Sequence, residues 1–335
     1  MALFLQKELS NEPGVPKHLL EENQLPSEVN IALFNQASFG DLEAVKGAYK
    51  AGGKPNYFHR PSDGATSLHA AARSPSKEAA DCINFLFLKG ACLDVKMITN
   101  QNTPLHEAIG NNKQLTSDAL IVAGASFLPN AFGNTPLHLA AQQGNISIAL
   151  LLLQKNHPVN VANNRGLTPL HVCASLCKEA SAPVSDISKD CFMKLASCLI
   201  LYSANVDAVD SNKYSAMHLA AQRGNLDMVQ LLADSGAKTS EKSCLKFGEK
   251  VVERTPAEVA KVNSHINVQA YLEGCEQKMS FGRAIATNEH AKTWTKGIIS
   301  SAKIKAQKEN IKNDNTSMAV GSGAAAARIR ASPQK

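Results

Sequence analysis

The sequence predicts an all-α repeat solenoid, and three features of its pattern lead to that prediction. The first is a four-residue motif, Thr-Pro-Leu-His or a close variant, that begins at positions 66, 103, 135, 168 and 215, with a degenerate copy at 255. The second is the spacing of these copies, 37, 32, 33, 47 and 40 residues, which indicates a period near 33 with insertions. The third is that apolar residues recur at helical spacing after each copy. A stack of small helical units explains all three, because one such unit cannot bury its apolar face alone.

Each element of one unit follows from its residues. Threonine at the start of the motif is a good helix N-cap, and proline fits the first helical position, where its missing N–H costs nothing. Leucine and small alanines follow on one face, which lets neighbouring helices approach closely. A Gly-Asn break at 144–145 or 224–225 ends the first helix. A second helix is predicted over 146–154 and over 226–234, and a short extended segment with a turn, such as 159–166, closes the unit.

These units resemble ankyrin repeats. The likeness rests on the T-P-L-H-x-A-A motif, the period near 33 and the closing segment Ala204–Asp207. The resemblance implies helix-turn-helix-hairpin units stacked into a curved array over residues 30–275, after an N-terminal extension at 1–29. Six or seven units are expected, beginning near residues 30, 63, 100, 132, 165, 212 and 252. The first has only a weak copy of the pattern at 40–56, and the last has Glu258 in place of histidine, as suits a capping unit.

The recurring histidines invite a metal or catalytic interpretation, which the repeat geometry disfavours. Units stacked about 10 Å apart cannot share a zinc ion whose bonds are about 2 Å long. The resemblance implies instead that each imidazole links its own helix start to the neighbouring unit. No metal, cofactor or catalytic residue is therefore predicted. The motif threonines, prolines and histidines form the structural signature of the repeats, at Thr103, Pro104, His106, Thr135, Pro136, His138, Thr168, Pro169, His171 and His218.

Eight cysteines lie along the chain, four of them between positions 173 and 198. Their spacing is not that of a paired Cys-x-x-Cys zinc site, and Cys173 takes a place where other units have alanine, so we expect buried, reduced thiols. No apolar run approaches the ~20 residues of a membrane span. The N-terminus lacks the pattern of a secretory signal. A cytoplasmic, reducing location follows as an expectation.

The net charge of +6 is unevenly distributed. Residues 278–335 hold eleven basic and three acidic side chains, a charge of +8, which leaves −2 for the rest of the chain. Nucleic-acid binding by the whole protein is therefore not indicated. Over 276–312 the pattern predicts a basic amphipathic helix, which leaves open a contact with an anionic membrane or nucleic acid, or packing on the last unit. Residues 313–335 are small and polar, and we expect them to be disordered.

Function is expected on the exposed turn tips and first helices, because repeat scaffolds present a rigid concave surface there. Aromatic, methionine and basic residues at such tips are the usual interface anchors. The candidates for partner contact are Tyr57, Phe58, Arg60, Met97, Phe132, Arg165, Lys213, Tyr214, Lys246 and Phe247. The last two lie in one of three insertions, at 73–81, 178–190 and 240–253. The predicted function is non-catalytic binding of a partner protein by a monomer.

Four further interpretations remain open. Residues 25–50 begin Leu-Pro-x-Glu and resemble the first half of an F-box, which implies a ubiquitin-ligase adaptor, although an ankyrin unit explains the same helices. The second is an enzyme with an unrecognised site in the insertions or the tail. The third is a regulator or effector inside a eukaryotic cell, because the tail is similar to the C-terminal export signals of ankyrin proteins that intracellular bacteria deliver without a signal peptide. The fourth concerns Asn160, which resembles the asparagine that asparaginyl hydroxylases modify in ankyrin repeats.

Overall fold

The computed structural model describes residues 28–58, 63–177, 189–247 and 250–280. Within these ranges lie fourteen α-helices and two β-strands. In chain order they are α1 Glu28–Phe39, α2 Leu42–Lys50, α3 Ser67–Arg73, α4 Ala79–Leu88, α5 Pro104–Gly110, α6 Gln114–Val122, α7 Pro136–Gln142, α8 Ile146–Gln154, α9 Pro169–Leu176, α10 Lys189–Leu201, α11 Ala216–Arg223, α12 Leu226–Asp234, β1 Ser243–Phe247, β2 Lys250–Arg254, α13 Pro256–Val262 and α14 Ile266–Ser280.

The helices form seven consecutive pairs, which we call units 1 to 7. Unit 1 is α1 with α2, and unit 7 is α13 with α14. The first helix of each unit packs on the first helix of the next, and the second helices pack on one another in a second layer. The leucine of each Thr-Pro-Leu-His motif is almost fully buried between units, and one continuous apolar core extends from Leu33 to Leu272. The predicted repeat solenoid is thereby confirmed.

The helix starts have the predicted chemistry. In units 2 to 6 a threonine or serine N-cap and the histidine three residues later form a reciprocal capping box. In unit 7 the carboxylate of Glu258 takes the place of the imidazole and accepts the Thr255 N–H at 2.9 Å. Asparagine caps start the second helices of units 4 and 6, as the side chain of Asn145 accepts from Ile148 N and that of Asn225 from Met228 N. The predicted helices 146–154 and 226–234 are confirmed.

A turn precedes the first helix in each of units 3 to 6, and we call its outermost three residues the tip. The tips of units 4, 5 and 6 are residues 131–133, 164–166 and 211–213, and the last residue of each has a positive φ. Backbone hydrogen bonds link neighbouring tips, because Asn164 N donates to Phe132 O at 3.1 Å and Ser211 N donates to Arg165 O at 3.1 Å. The tips therefore form one hydrogen-bonded series in register with the helices behind them.

The turn before unit 7 differs from this pattern and adds the strands that the all-α prediction lacks. In unit 4 the backbone N–H of Asn130 bonds to the carbonyl of Asn134 across a three-residue tip. In unit 7 the equivalent pair is Ser243 with Arg254, and the strands β1 and β2 extend outward from it as an antiparallel ribbon. The insertion predicted at 240–253 thus lengthens the tip, and β1 joins the series because Cys244 N donates to Asn212 O at 2.9 Å.

The first helix pair bears on the F-box interpretation of residues 25–50. Helix α1 packs on α3 and α2 packs on α4, as in every other pair of neighbouring units. Asp41 caps α2 by accepting the Ala44 N–H at 3.0 Å. This packing favours a repeat unit over an F-box. The extension at 1–29 falls almost wholly outside the described residues, as do most of the 178–190 insertion, nearly all of the predicted helix 276–312 and the tail 313–335.

Candidate functional site

The five histidines of the motif make one repeated structural contact. Each Nδ1 accepts the backbone N–H of its own N-cap residue at 3.1–3.2 Å. Each Nε2 lies 2.8–3.2 Å from a carbonyl oxygen of the next unit, as in the contact of His138 with Leu167 O. Since Nδ1 must be unprotonated to accept, Nε2 carries the proton and donates. The imidazoles therefore connect units, as the resemblance implied.

Burial holds these imidazoles in the neutral form. It lowers the pKa of His69 and of His106 to about 4, and it lowers the pKa values of His138, His171 and His218 as well. A proton added at Nδ1 would face the N-cap N–H that now donates to that atom. A side chain in this position is poorly placed to act as a general base.

The cysteines are placed as small buried side chains. Cys173, Cys177 and Cys198 are buried between α9, α10 and the neighbouring unit, and Asn225 Nδ2 donates to Cys177 Sγ at 2.7 Å. Burial raises the pKa of Cys198 to about 11 and that of Cys173 still further. At neutral pH these groups are thiols, and the thiolate is the form that binds metals and attacks electrophiles. In the part of the chain that the structure describes, no cluster of histidine, cysteine, aspartate and glutamate has the arrangement of a metal site.

The predicted partner contacts divide into three groups: exposed, outside the described residues, and buried. Phe132, Arg165 and Lys213 are exposed at the tips of units 4, 5 and 6, and 64% of Phe132 is accessible to solvent. Of the remaining candidates, Arg60 lies outside the described residues, and so do the side chains of Lys246 and Phe247, whose backbones belong to β1. The chain thus brings an aromatic and two basic side chains to successive tips.

The other four candidates are buried, so the expectation that they are exposed at turn tips is wrong. Tyr57, Phe58, Met97 and Tyr214 each expose less than a tenth of their surface. They flank the tips rather than occupy them. Tyr214 immediately precedes an N-cap, and its carbonyl accepts from His171 Nε2, which holds the residue against the stack. Phe58 packs with Val95 in a small second core. Their side chains support the turns and offer little surface to a partner.

Sequence reasoning missed a second set of exposed residues, on the first helices. The residue directly after the motif histidine is Leu139, Val172 or Leu219 in units 4, 5 and 6, and each is partly exposed. Leu176 at the end of α9 and Arg223 at the end of α11 are exposed as well. The recurrence of an apolar residue after the histidine was visible in the sequence. We call the tips of units 4 to 6 together with these helix positions the inner face.

Unit 3 has a charged residue at the same helix position. Glu107 is buried, and its carboxylate accepts from Arg73 Nε at 2.8 Å and from Asn102 Nδ2 at 2.7 Å. The ion pair joins units 2 and 3 and satisfies the carboxylate. The apolar stretch of the inner face therefore begins at unit 4.

Asn160, the candidate hydroxylation site, connects two closing turns. Its Nδ2 donates to Ser203 O at 3.1 Å, and its Oδ1 accepts from Asn205 N at 2.7 Å. The residue is exposed, but its amide is engaged at both ends. Hydroxylation of Asn160 stays a prediction. No helix among the described residues combines the length and apolar character needed to cross a membrane.

The family comparison covers the array from the second helix of unit 3 to unit 7. Residues 118–182 and 187–279 match the family model for ankyrin repeats, with three copies. A putative palmitoyltransferase, ZDHHC13, of Danio rerio is 32% identical over 209 residues, which cover 61% of this chain and 29% of that protein. The B-cell lymphoma 3 protein homolog of Mus musculus is 30% identical over 54% of this chain and 46% of its own length. NF-kappa-B inhibitor zeta of Bos taurus is 30% identical over 57% of this chain and 28% of its own length. The chain thus spans less than half the length of these relatives.

Proposed function

Because the chain belongs to the ankyrin-repeat proteins, we propose that it is a non-catalytic scaffold that binds a partner protein through its inner face. The observation that carries this proposal is the exposure of Phe132, Arg165 and Lys213 on successive, hydrogen-bonded tips beside partly exposed apolar residues of the first helices. Aromatic and basic anchors next to apolar surface are typical of protein interfaces.

The backbone geometry favours binding by a preformed surface. Each tip is fixed at its base by a side-chain oxygen, as when Asn163 Oδ1 accepts from both Arg165 N and Leu167 N. The inter-tip hydrogen bonds fix each tip to the next. Association then orders few additional backbone torsions, and less of the interaction free energy is lost to ordering.

The relatives support protein binding more than catalysis. NF-kappa-B inhibitor zeta is named for its effect on another protein, and the similarity to it covers more than half of this chain. The similarity to the putative palmitoyltransferase covers less than a third of that protein, so its named activity is not transferred to this chain. An enzyme site in the insertions or tail, an effector role and a cytoplasmic location stay predictions.

The proposal is tested by affinity capture from a cell lysate with the full chain and two triple variants. The first variant carries Phe132→Ala, Arg165→Ala and Lys213→Ala on the tips. The second carries Lys50→Ala, Lys77→Ala and Lys155→Ala, which are exposed residues outside the inner face. We expect a specific partner, identified by mass spectrometry, to bind the full chain and the second variant and to be lost from the first. A partner retained by the first variant, with both variants folded by circular dichroism, would contradict binding through the tips.

A further inference from the structure

The apolar part of the inner face continues across three units. Leu139, Val172 and Leu219 occupy the same position of α7, α9 and α11, and these three helices pack on one another in order. Packed helices lie about 8–10 Å apart, so the row spans roughly 20 Å. Leu176 and Phe132 extend it at the helix end and at the tip, and both are exposed. A row of this length matches an extended or helical protein segment rather than a single side chain.

The charged side chains of the inner face itself have one sign. Arg165 and Lys213 lie at the tips of units 5 and 6, and Arg223 ends α11. Within the described residues none of the three forms an ion pair. Two acidic side chains lie near them in sequence. Asp227 is exposed in the first turn of α12, four residues after Arg223. Asp210 lies three residues before Lys213, and its Oδ1 accepts from Asn212 N and from Tyr214 N and so holds the turn. The inner face of units 4 to 6 is therefore apolar along its middle and positive at its edge.

We propose that the inner face of units 4 to 6 takes an acidic protein segment, in which aliphatic or aromatic side chains are flanked by aspartate or glutamate. This inference rests on the proposed function, because it names the kind of partner that the same face binds. The apolar side chains of the segment would cover Leu139, Val172 and Leu219. Its carboxylates would meet Arg165, Lys213 and Arg223, where arginine can bind a carboxylate through two parallel hydrogen bonds. Charge complementarity of this kind favours an acidic partner and disfavours a basic one.

The probe is a displayed library of random 12-residue peptides, selected on the immobilised full chain. We expect the enriched peptides to combine several aliphatic or aromatic residues with a net negative charge. An enriched peptide is then synthesised in two forms, one as selected and one with every aspartate and glutamate changed to asparagine and glutamine. The neutral form should bind at least tenfold more weakly, and the affinity of the acidic form should fall as salt is raised.

Protein variants identify the surface that binds. The triple charge reversal Arg165→Glu, Lys213→Glu and Arg223→Glu should weaken the acidic peptide at least tenfold, which corresponds to about 1.4 kcal/mol. The matched reversal Lys50→Glu, Lys77→Glu and Lys155→Glu changes the net charge equally and should alter the affinity less than twofold. The pair Phe132→Ala and Leu176→Ala should weaken every inner-face peptide, whatever its charge.

The outcomes separate this inference from the proposed function. The acidic-partner inference would be overturned by peptides that require Phe132 and Leu176 but are neutral or basic, or by peptides that are insensitive to the triple charge reversal. Protein binding by the inner face would then still stand. Peptides whose affinity does not change in either inner-face variant would contradict both. Each variant is compared by circular dichroism and thermal unfolding, so that a loss of binding through unfolding is recognised.

Discussion

At the residue scale, the motif histidine combines two hydrogen bonds that are usually supplied by different groups. Its Nδ1 satisfies an exposed N–H at the helix start, and its Nε2–H satisfies a carbonyl of the next unit, as His106 does for Thr103 N and Asn134 O. Neutral imidazole is the side-chain form that can accept at one ring nitrogen and donate at the other. Stability of the array is therefore coupled to the protonation state of these rings.

We expect the free energy of unfolding to fall as the pH is lowered from 7.5 to 5. The folded pKa values of His69 and His106 are about 4, below the value of about 6.5 in an unfolded chain. The unfolded state therefore binds more protons between these values, so the stability contributed above pH 6.5 is lost as the pH falls towards 4. At pH 5 the loss is about 2 kcal/mol for each of these two rings. Urea unfolding at pH 7.5, 6 and 5 measures it, and a stability that is constant or rises on acidification would contradict the account.

His157 provides a separate test, because it occupies a position where units 2, 3, 5 and 6 have alanine. It follows the positive-φ residue Asn156, as Ala91, Ala125 and Ala237 follow glycines. Its ring packs against Phe127, Nδ1 lies 2.8 Å from Pro158 O, and Nε2 is buried without a hydrogen-bond partner among the described residues. Burial lowers its pKa to about 4.

For His157→Ala we expect a smaller loss of stability between pH 7.5 and 5 than in the unmodified chain, by about 2 kcal/mol, because one buried, proton-sensitive ring is removed. The measurement is the same urea series on both proteins. Parallel stability curves for the two proteins over this pH range would show that His157 does not contribute to the pH dependence.

At the element scale, the tips depend on glycine where the chain turns against its neighbour. Gly166 has φ of 77°, and a Cβ built there would lie 2.8 Å from Ser211 N, the atom that donates to Arg165 O. Gly124 has φ of 93° in a closing turn, but no atom lies within 4 Å of its Cβ position. Substitution of Gly124 therefore measures the cost of backbone strain alone, and substitution of Gly166 measures strain together with a steric clash against the neighbouring tip.

We expect Gly124→Ala to cost about 1 kcal/mol, from the left-handed conformation alone. Gly166→Ala should cost about 2 kcal/mol or more, because it also displaces the neighbouring tip. Thermal or urea unfolding of the two variants measures the difference. Equal costs would mean that the contact between tips contributes little to stability.

The same elements show how far the sequence predicted the structure. The bounds of the second helices at 146–154 and 226–234 were predictable, because an asparagine cap and an apolar period mark each of them locally. The burial of Met97 and Tyr214 was not, because it depends on the direction of each side chain in a turn shaped by the adjacent unit. The ribbon of β1 and β2 had a local signal that was overlooked, since the Gly-Glu pair at 248–249 separates two β-prone runs.

At the scale of the whole molecule, the main helix–helix contacts among the described residues join each unit to its neighbours along the stack. The buried motif leucine Leu137 lies in the middle of the array, in unit 4, whereas Leu272 lies in α14 of unit 7. Stability in such an array is approximately a sum of unit and nearest-neighbour terms. A substitution in the middle of the array should therefore destabilise the units on both sides of it, whereas one in the last unit should mainly destabilise that unit and its single neighbour.

We expect Leu137→Ala and Leu272→Ala to remove similar stability, about 2–5 kcal/mol. The first should speed amide hydrogen exchange in units 3, 4 and 5, and the second mainly in units 6 and 7. Hydrogen exchange with mass spectrometry maps both. Uniformly faster exchange along all seven units in both variants would indicate instead that the whole array unfolds in one cooperative, all-or-none step.

The central claim, that the inner face of units 4 to 6 binds a partner protein, is tested most directly by hydrogen exchange of the full chain with and without the captured partner. The account predicts slower exchange at the tips and first helices, in 130–142, 163–176 and 209–223, with α8 and α12 unchanged. Protection confined to the second helices or to residues 281–335 would contradict it.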